Sequence, residues 1–107
     1  MTGAEDASAG TEEVVADGKA VPRRIAVEEV IQEGESLLYN PSRDEASALN
    51  RTATEVWSLC DGQLTLSGIA GVLGERYGVN DTMLLDDVRR VLAALRARGL
   101  IEFLPGT

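Results

Sequence analysis

The hydrophobic period changes once along this chain, and that change does most to limit its fold. Up to Leu49 the apolar residues fall in short runs that roughly alternate. From Ala53 onward they recur every three or four residues. A period of two belongs to strands and one near 3.6 to helices. Strands therefore come first and helices follow.

The strand half divides at its turn residues. "RRIAVEEVIQ" carries Ile25, Val27, Val30 and Ile31, with the alternation broken at Glu28–Glu29. It reads as one strand with a kink or bulge, a short helix being the other option. Gly34 punctuates, and "ESLLYNP" supplies a second strand over residues 36–39, stopped by Asn40–Pro41. "PSRDE" is a turn. "EASALN" gives a third strand with Ala46, Ala48 and Leu49. Short strands separated by short turns predict an antiparallel meander.

In the helical half, Thr52 and Glu55 have the spacing of a capping box. Ala53, Val56, Trp57 and Cys60 then share one helical face, and Asp61–Gly62 ends that helix. Thr65 or Ser67 opens a second helix, with Ile69, Val72, Leu73 and Tyr77 inward and Gly78 past its end. Asn80 or Asp81 caps a third, over about 82–98, striped by Leu84, Leu85, Val88, Val91, Leu92 and Leu95. "LIEFL" closes the chain as an extended segment. The predicted class is α+β: a three-stranded antiparallel sheet followed by three helices, β-β-β-α-α-α, in the order of a winged helix-turn-helix.

Residues 1–21 stand apart: the first twenty have small side chains, five acids and only Val14 and Val15 to pack. Such a segment cannot offset its ordering entropy, so a disordered acidic tail is expected there and one folded domain over 22–107. The net charge of −8 argues against nucleic acid and against an anionic membrane, since both reward a basic face. One cysteine allows no internal disulfide, and there is neither a secretory signal nor a long apolar run. A cytoplasmic protein is expected, as monomer or dimer.

Catalytic chemistry has little to work with. The chain has no histidine, and Cys60 lies near a helix C-terminus beside Asp61, where neither the dipole nor the neighbour favours a thiolate. Carboxylates alone remain for metals, and none has the spacing of a calcium loop. Glycines 68, 71, 74 and 78 fall on a helical pattern rather than in a phosphate loop. No Asp-Ser pair suits a carrier-protein serine. Neither enzyme nor cofactor is expected. A winged-helix DNA-binding regulator is the alternative, although the recognition helix would then enter the groove with Asp81, Asp86 and Asp87 leading.

Three blocks carry a family resemblance: "LNRTATEVWSLCDG" at 49–62, "IAGVLGERYGV" at 69–79 and "DVRRVLAALRARGL" at 87–100. Together they resemble the PqqD family. The resemblance implies a RiPP recognition element, a winged helix-turn-helix that binds the leader of a ribosomally made precursor peptide. It further implies delivery of that leader to a modifying enzyme such as a radical-SAM protein or a leader protease. The leader would add a strand beside the third strand, in a cleft against the third helix. The expected peptide-binding residues are Ala46, Ser47, Ala48 and Leu49, with Leu84, Asp87, Val88 and Val91 from that helix; Arg89 or Arg90 would meet acidic leader residues. Each apolar member reads equally well as core.

Overall fold

The computed structural model describes residues 18–105. The elements run β1 (Pro22–Arg24), β2 (Glu28–Gln32), β3 (Glu35–Asn40), β4 (Glu45–Leu49), α1 (Arg51–Ser58), α2 (Leu66–Tyr77), α3 (Asp81–Ala97) and β5 (Ile101–Phe103). The class is the expected α+β, with a three-stranded antiparallel sheet in the order β2-β3-β4 and three helices behind it.

The first strand departs from expectation. "RRIAVEEVIQ" is not one kinked strand: residues 25–27 separate β1 from β2, and the two lie in different sheets. β1 pairs antiparallel with β5, Arg24 opposite Ile101. The backbone N–H of Arg24 donates to the Cys60 carbonyl and that of Ile25 to the Leu100 carbonyl. The partner of β1 is thus the far end of the chain, which no local pattern could indicate.

β2 and β3 form a tight hairpin, Gln32 opposite Glu35. Glu33 and Gly34 both take positive φ, 56° and 84°, the geometry of a two-residue type I′ turn. Arg51 at the start of α1 donates to the Glu33 carbonyl at 3.0 Å and fixes the turn to the helix layer. Along β3, Ser36, Leu38 and Asn40 are buried while Glu35 and Leu37 are exposed; on β4, Ser47 and Leu49 point inward. One face of the sheet therefore packs on the helices and the other meets solvent.

The helix caps also differ in part. Asn50 caps α1, its side chain accepting from the Ala53 N–H at 2.8 Å. Thr52 lies inside the helix, so the expected Thr52–Glu55 capping box does not form. Glu55 instead accepts from the Tyr77 hydroxyl and pairs with Arg76 at 3.4 Å, tying α1 to α2. That bond holds Tyr77, expected inward, on the surface at 53% exposure. Thr65 and Asn80 cap α2 and α3, each one of the two residues expected there.

The core joins Leu38 and Leu49 of the sheet to Val56 and Trp57 of α1, Ile69 and Leu73 of α2, and Val88, Leu92 and Leu95 of α3. Trp57 donates its indole N–H to the Leu100 carbonyl. Residues 18–21, expected in the tail, are bound to the body. The carbonyls of Gly18, Ala20 and Val21 accept from the N–H groups of Ser67, Leu66 and Leu104. The rest of the expected tail lies outside the described residues. No described helix is long and apolar enough to cross a membrane.

Candidate peptide groove

β4 is an edge strand, paired with β3 on one side only. Every second residue of its backbone therefore turns its polar groups to the open side. Beside that edge lies a groove of about 200 Å³, lined by Ala48, Leu49, Asn50, Ala53, Val91, Ala94, Leu95 and Arg98. Pockets that enclose small molecules run to roughly 300–1,000 Å³, so this one suits a side chain of an extended peptide. Its walls are held at both ends. Thr54 donates its hydroxyl to the Leu49 carbonyl, and Asn40 donates its side-chain amide to the Gly99 carbonyl just past α3.

The expected site residues separate into four groups. Ala48, Leu49 and Val91 line the groove. Ala46 is exposed on the outer sheet face, opposite Tyr39. Ser47, Val88 and Leu84 do not face the groove. Ser47 is buried beneath β4, Val88 is 2% exposed, and Leu84 packs against the core. Ser47 and Val88 are both buried because β4 sets alternate residues inward and α3 turns Val88 toward the core. Asp87 is exposed and paired with Arg90 at 3.2 Å.

Five lining residues were not expected as site residues: Asn50, Ala53, Ala94, Leu95 and Arg98. The signal was present in α3, since residues 91, 94, 95 and 98 share one face at helical spacing. Ala94 has too small a side chain to stand out in an apolar stripe of Leu and Val.

Charge at the groove comes from Arg98. Arg89 and Arg90, expected to meet leader acids, pair with Asp86 and Asp87 one turn earlier. Arg98 has no ion pair among the described residues, and its exposed side chain stands at the groove's rim. Cys60 plays no part here. It is fully buried, its Sγ–H donating to the Val56 carbonyl. Burial is the chief reason its pKa is pushed up from 9.0 to about 12, with Asp61 adding to it and Arg24 opposing.

The chain is a small winged-helix scaffold with an open strand edge beside an apolar groove. The family can be stated as well. The model of the PqqD family, coenzyme PQQ synthesis protein D, matches residues 35–101, and the chain belongs to that family. No curated protein matches the chain. Among solved structures it is similar to the PqqD truncation of PqqCD from Methylobacterium extorquens, described as a functional, stand-alone RiPP recognition element. That match has a TM-score of 0.66 and 29% identity, covering 80% of this chain and 93% of the other. It is also similar to TbiB1, solved in complex with the TbiA(beta) leader peptide, with a TM-score of 0.67 and 21% identity. There 78% of this chain and 99% of the other are covered.

Proposed function

We propose that this chain binds the leader segment of a ribosomally made precursor peptide and presents it to a modifying enzyme, doing no chemistry itself. The leader adds an antiparallel or parallel strand to the open edge of β4, through main-chain hydrogen bonds. One of its apolar side chains enters the groove beside Val91 and Ala94, and Arg98 meets an acidic neighbour. The observation that carries this reading is the coincidence of an unpaired strand edge with an apolar groove of side-chain size. The family and the recognition element among its structural relatives support it.

Two features speak against other classes. With no histidine in the chain and its one thiol buried and held protonated, neither a histidine-activated nucleophile nor a reactive thiolate is on offer. A DNA-reading role would need free cations along α3, whereas Arg89 and Arg90 are engaged by Asp86 and Asp87. The test is calorimetric titration with the leader of a precursor encoded beside this gene. Binding at or below ten micromolar, lost in Val91→Asp with the far-ultraviolet spectrum unchanged, is the expected result. A folded wild-type protein that ignores the leader at a hundred micromolar would overturn the proposal.

A further inference from the structure

The outer face of the β2-β3-β4 sheet carries an apolar row that the fold does not use. The register sets Val30 opposite Leu37 and Leu37 opposite Ala48, so their side chains line up across all three strands, over about 10 Å. Val30 is 62% exposed and Leu37 52%. Ile31, on the opposite face at the β2 edge, is 51% exposed. The inward positions of β3 are buried as they should be, so Val30 and Leu37 lie on the true solvent side. A half-solvated antiparallel sheet is expected to be polar there. Single exposed apolar residues are ordinary, but a row in register beside a shallow depression of about 480 Å³ marks a contact surface.

The charges around this row share one sign. Glu28 and Glu35 on the outer face and Glu33 in the β2–β3 turn are all exposed, and no Lys or Arg occurs between Arg24 and Arg43. None of these three glutamates is in an ion pair among the described residues. Arg51, the nearest cation on α1, donates to the Glu33 backbone carbonyl. An apolar row inside an acidic rim complements a surface with an apolar cluster inside a rim of lysine or arginine, and such complementarity selects partners and speeds encounter.

We propose that this face docks a basic-rimmed protein surface, that of the modifying enzyme; this identity rests on the peptide-presenting reading above. β2 is the sheet edge opposite β4, and only Ala48 and Leu49 border both the depression and the groove. The docking face and the leader groove can therefore be occupied together.

The experiment uses the full chain and the purified modifying enzyme encoded beside its gene. Enzyme and leader affinities are measured separately for wild type, Val30→Ser/Leu37→Ser and Glu28→Lys/Glu35→Lys. Both variants change exposed side chains only, and circular dichroism verifies their fold. Enzyme affinity should fall at least tenfold in each variant and weaken from 50 to 500 mM salt in wild type, with leader affinity held within twofold. Unchanged enzyme affinity in both variants, or no enzyme binding by wild type, overturns the proposal. So does a wild-type dimer in sedimentation that Val30→Ser/Leu37→Ser makes monomeric, because the face would then belong to a second copy. Enzyme binding without leader binding would sink the peptide reading instead and leave the docking face standing.

Discussion

Ser36 and Thr54 share a buried hydrogen bond, 2.8 Å between their hydroxyl oxygens. Thr54 donates onward to the Leu49 carbonyl at 3.3 Å, which leaves Ser36 as the donor to Thr54. Leu49 is also the cross-strand partner of Ser36. The relay therefore pins the last residue of β4, one wall of the groove, to α1. Thr54→Val should leave the Ser36 hydroxyl buried without a partner, at a cost of about 1–3 kcal/mol. Ser36→Ala with Thr54→Val should recover part of that loss. Urea unfolding of the two single variants and the double variant would measure the coupling, and strict additivity would refute the relay.

The cap of α1 gives a sharp pair of substitutions. Asn50→Ala removes the acceptor of the Ala53 N–H and should cost about 1 kcal/mol. Thr52→Ala should change stability by no more than about 0.5 kcal/mol, because an exposed residue inside the helix caps nothing. The reverse order in chemical denaturation would restore the capping box that the sequence suggests.

Asn50 and Thr52 also illustrate what was legible. Either can cap a helix, and choosing between them needs the backbone two residues away. The period change itself was decisive: three strands and three helices follow from it, and Trp57 and Cys60 lie in the core as their spacing implies. The split of "RRIAVEEVIQ" was not legible, because β1 owes its existence to Ile101–Phe103 at the other end of the chain. The groove was half legible. Helical periodicity marks an apolar stripe on α3, but only the position of β4 decides which margin is left open. Val91 lies on that margin and Val88, three residues earlier, is core.

The two positions should respond differently. Val88→Ala should cost about 1–3 kcal/mol of stability, as a buried aliphatic truncation, and leave leader affinity within threefold. Ala94 is exposed on α3 and lines the groove, so Ala94→Phe should fill it and weaken leader binding at least tenfold with little change in the unfolding midpoint. Unaltered affinity in a folded Ala94→Phe variant would place the peptide elsewhere. Arg98→Glu should weaken binding of an acidic leader, and the deficit should shrink as salt is raised.

Two glycines of α2 report how closely α2 and the start of α3 approach. A Cβ added at Gly74 would sit 2.9 Å from the Val79 carbonyl oxygen and 3.3 Å from Asp81, whereas one at Gly71 meets nothing within 4 Å. Gly74→Ala should therefore force backbone apart and cost about 1–3 kcal/mol. Gly71→Ala should stabilise by about 0.5–1 kcal/mol, since alanine loses less entropy in a helix. Thermal melts of the two variants should shift in opposite directions; equal shifts would mean that the α2–α3 contact is looser than described.

Cys60 makes stability depend on alkaline pH. Its thiol titrates near 9.0 when exposed and near 12 in the folded core. Between those values the unfolded chain gives up a proton that the folded chain keeps, so stability falls as pH rises. The slope from this group is about 1.4 kcal/mol per pH unit, and its contribution is fully present only below pH 9. Tyr39 and Tyr77 are raised too, by their bonds to Asp44 and Glu55, and add a dependence of their own at higher pH. Cys60→Ala isolates the thiol: the difference between the urea midpoints of wild type and variant should change steadily from pH 8.5 to 10.5. A difference that stays constant across that range would mean that the thiolate is tolerated in the fold. A maleimide should then label the native protein at pH 8.5 without waiting for it to unfold, where the buried thiol predicts labelling limited by the unfolding rate.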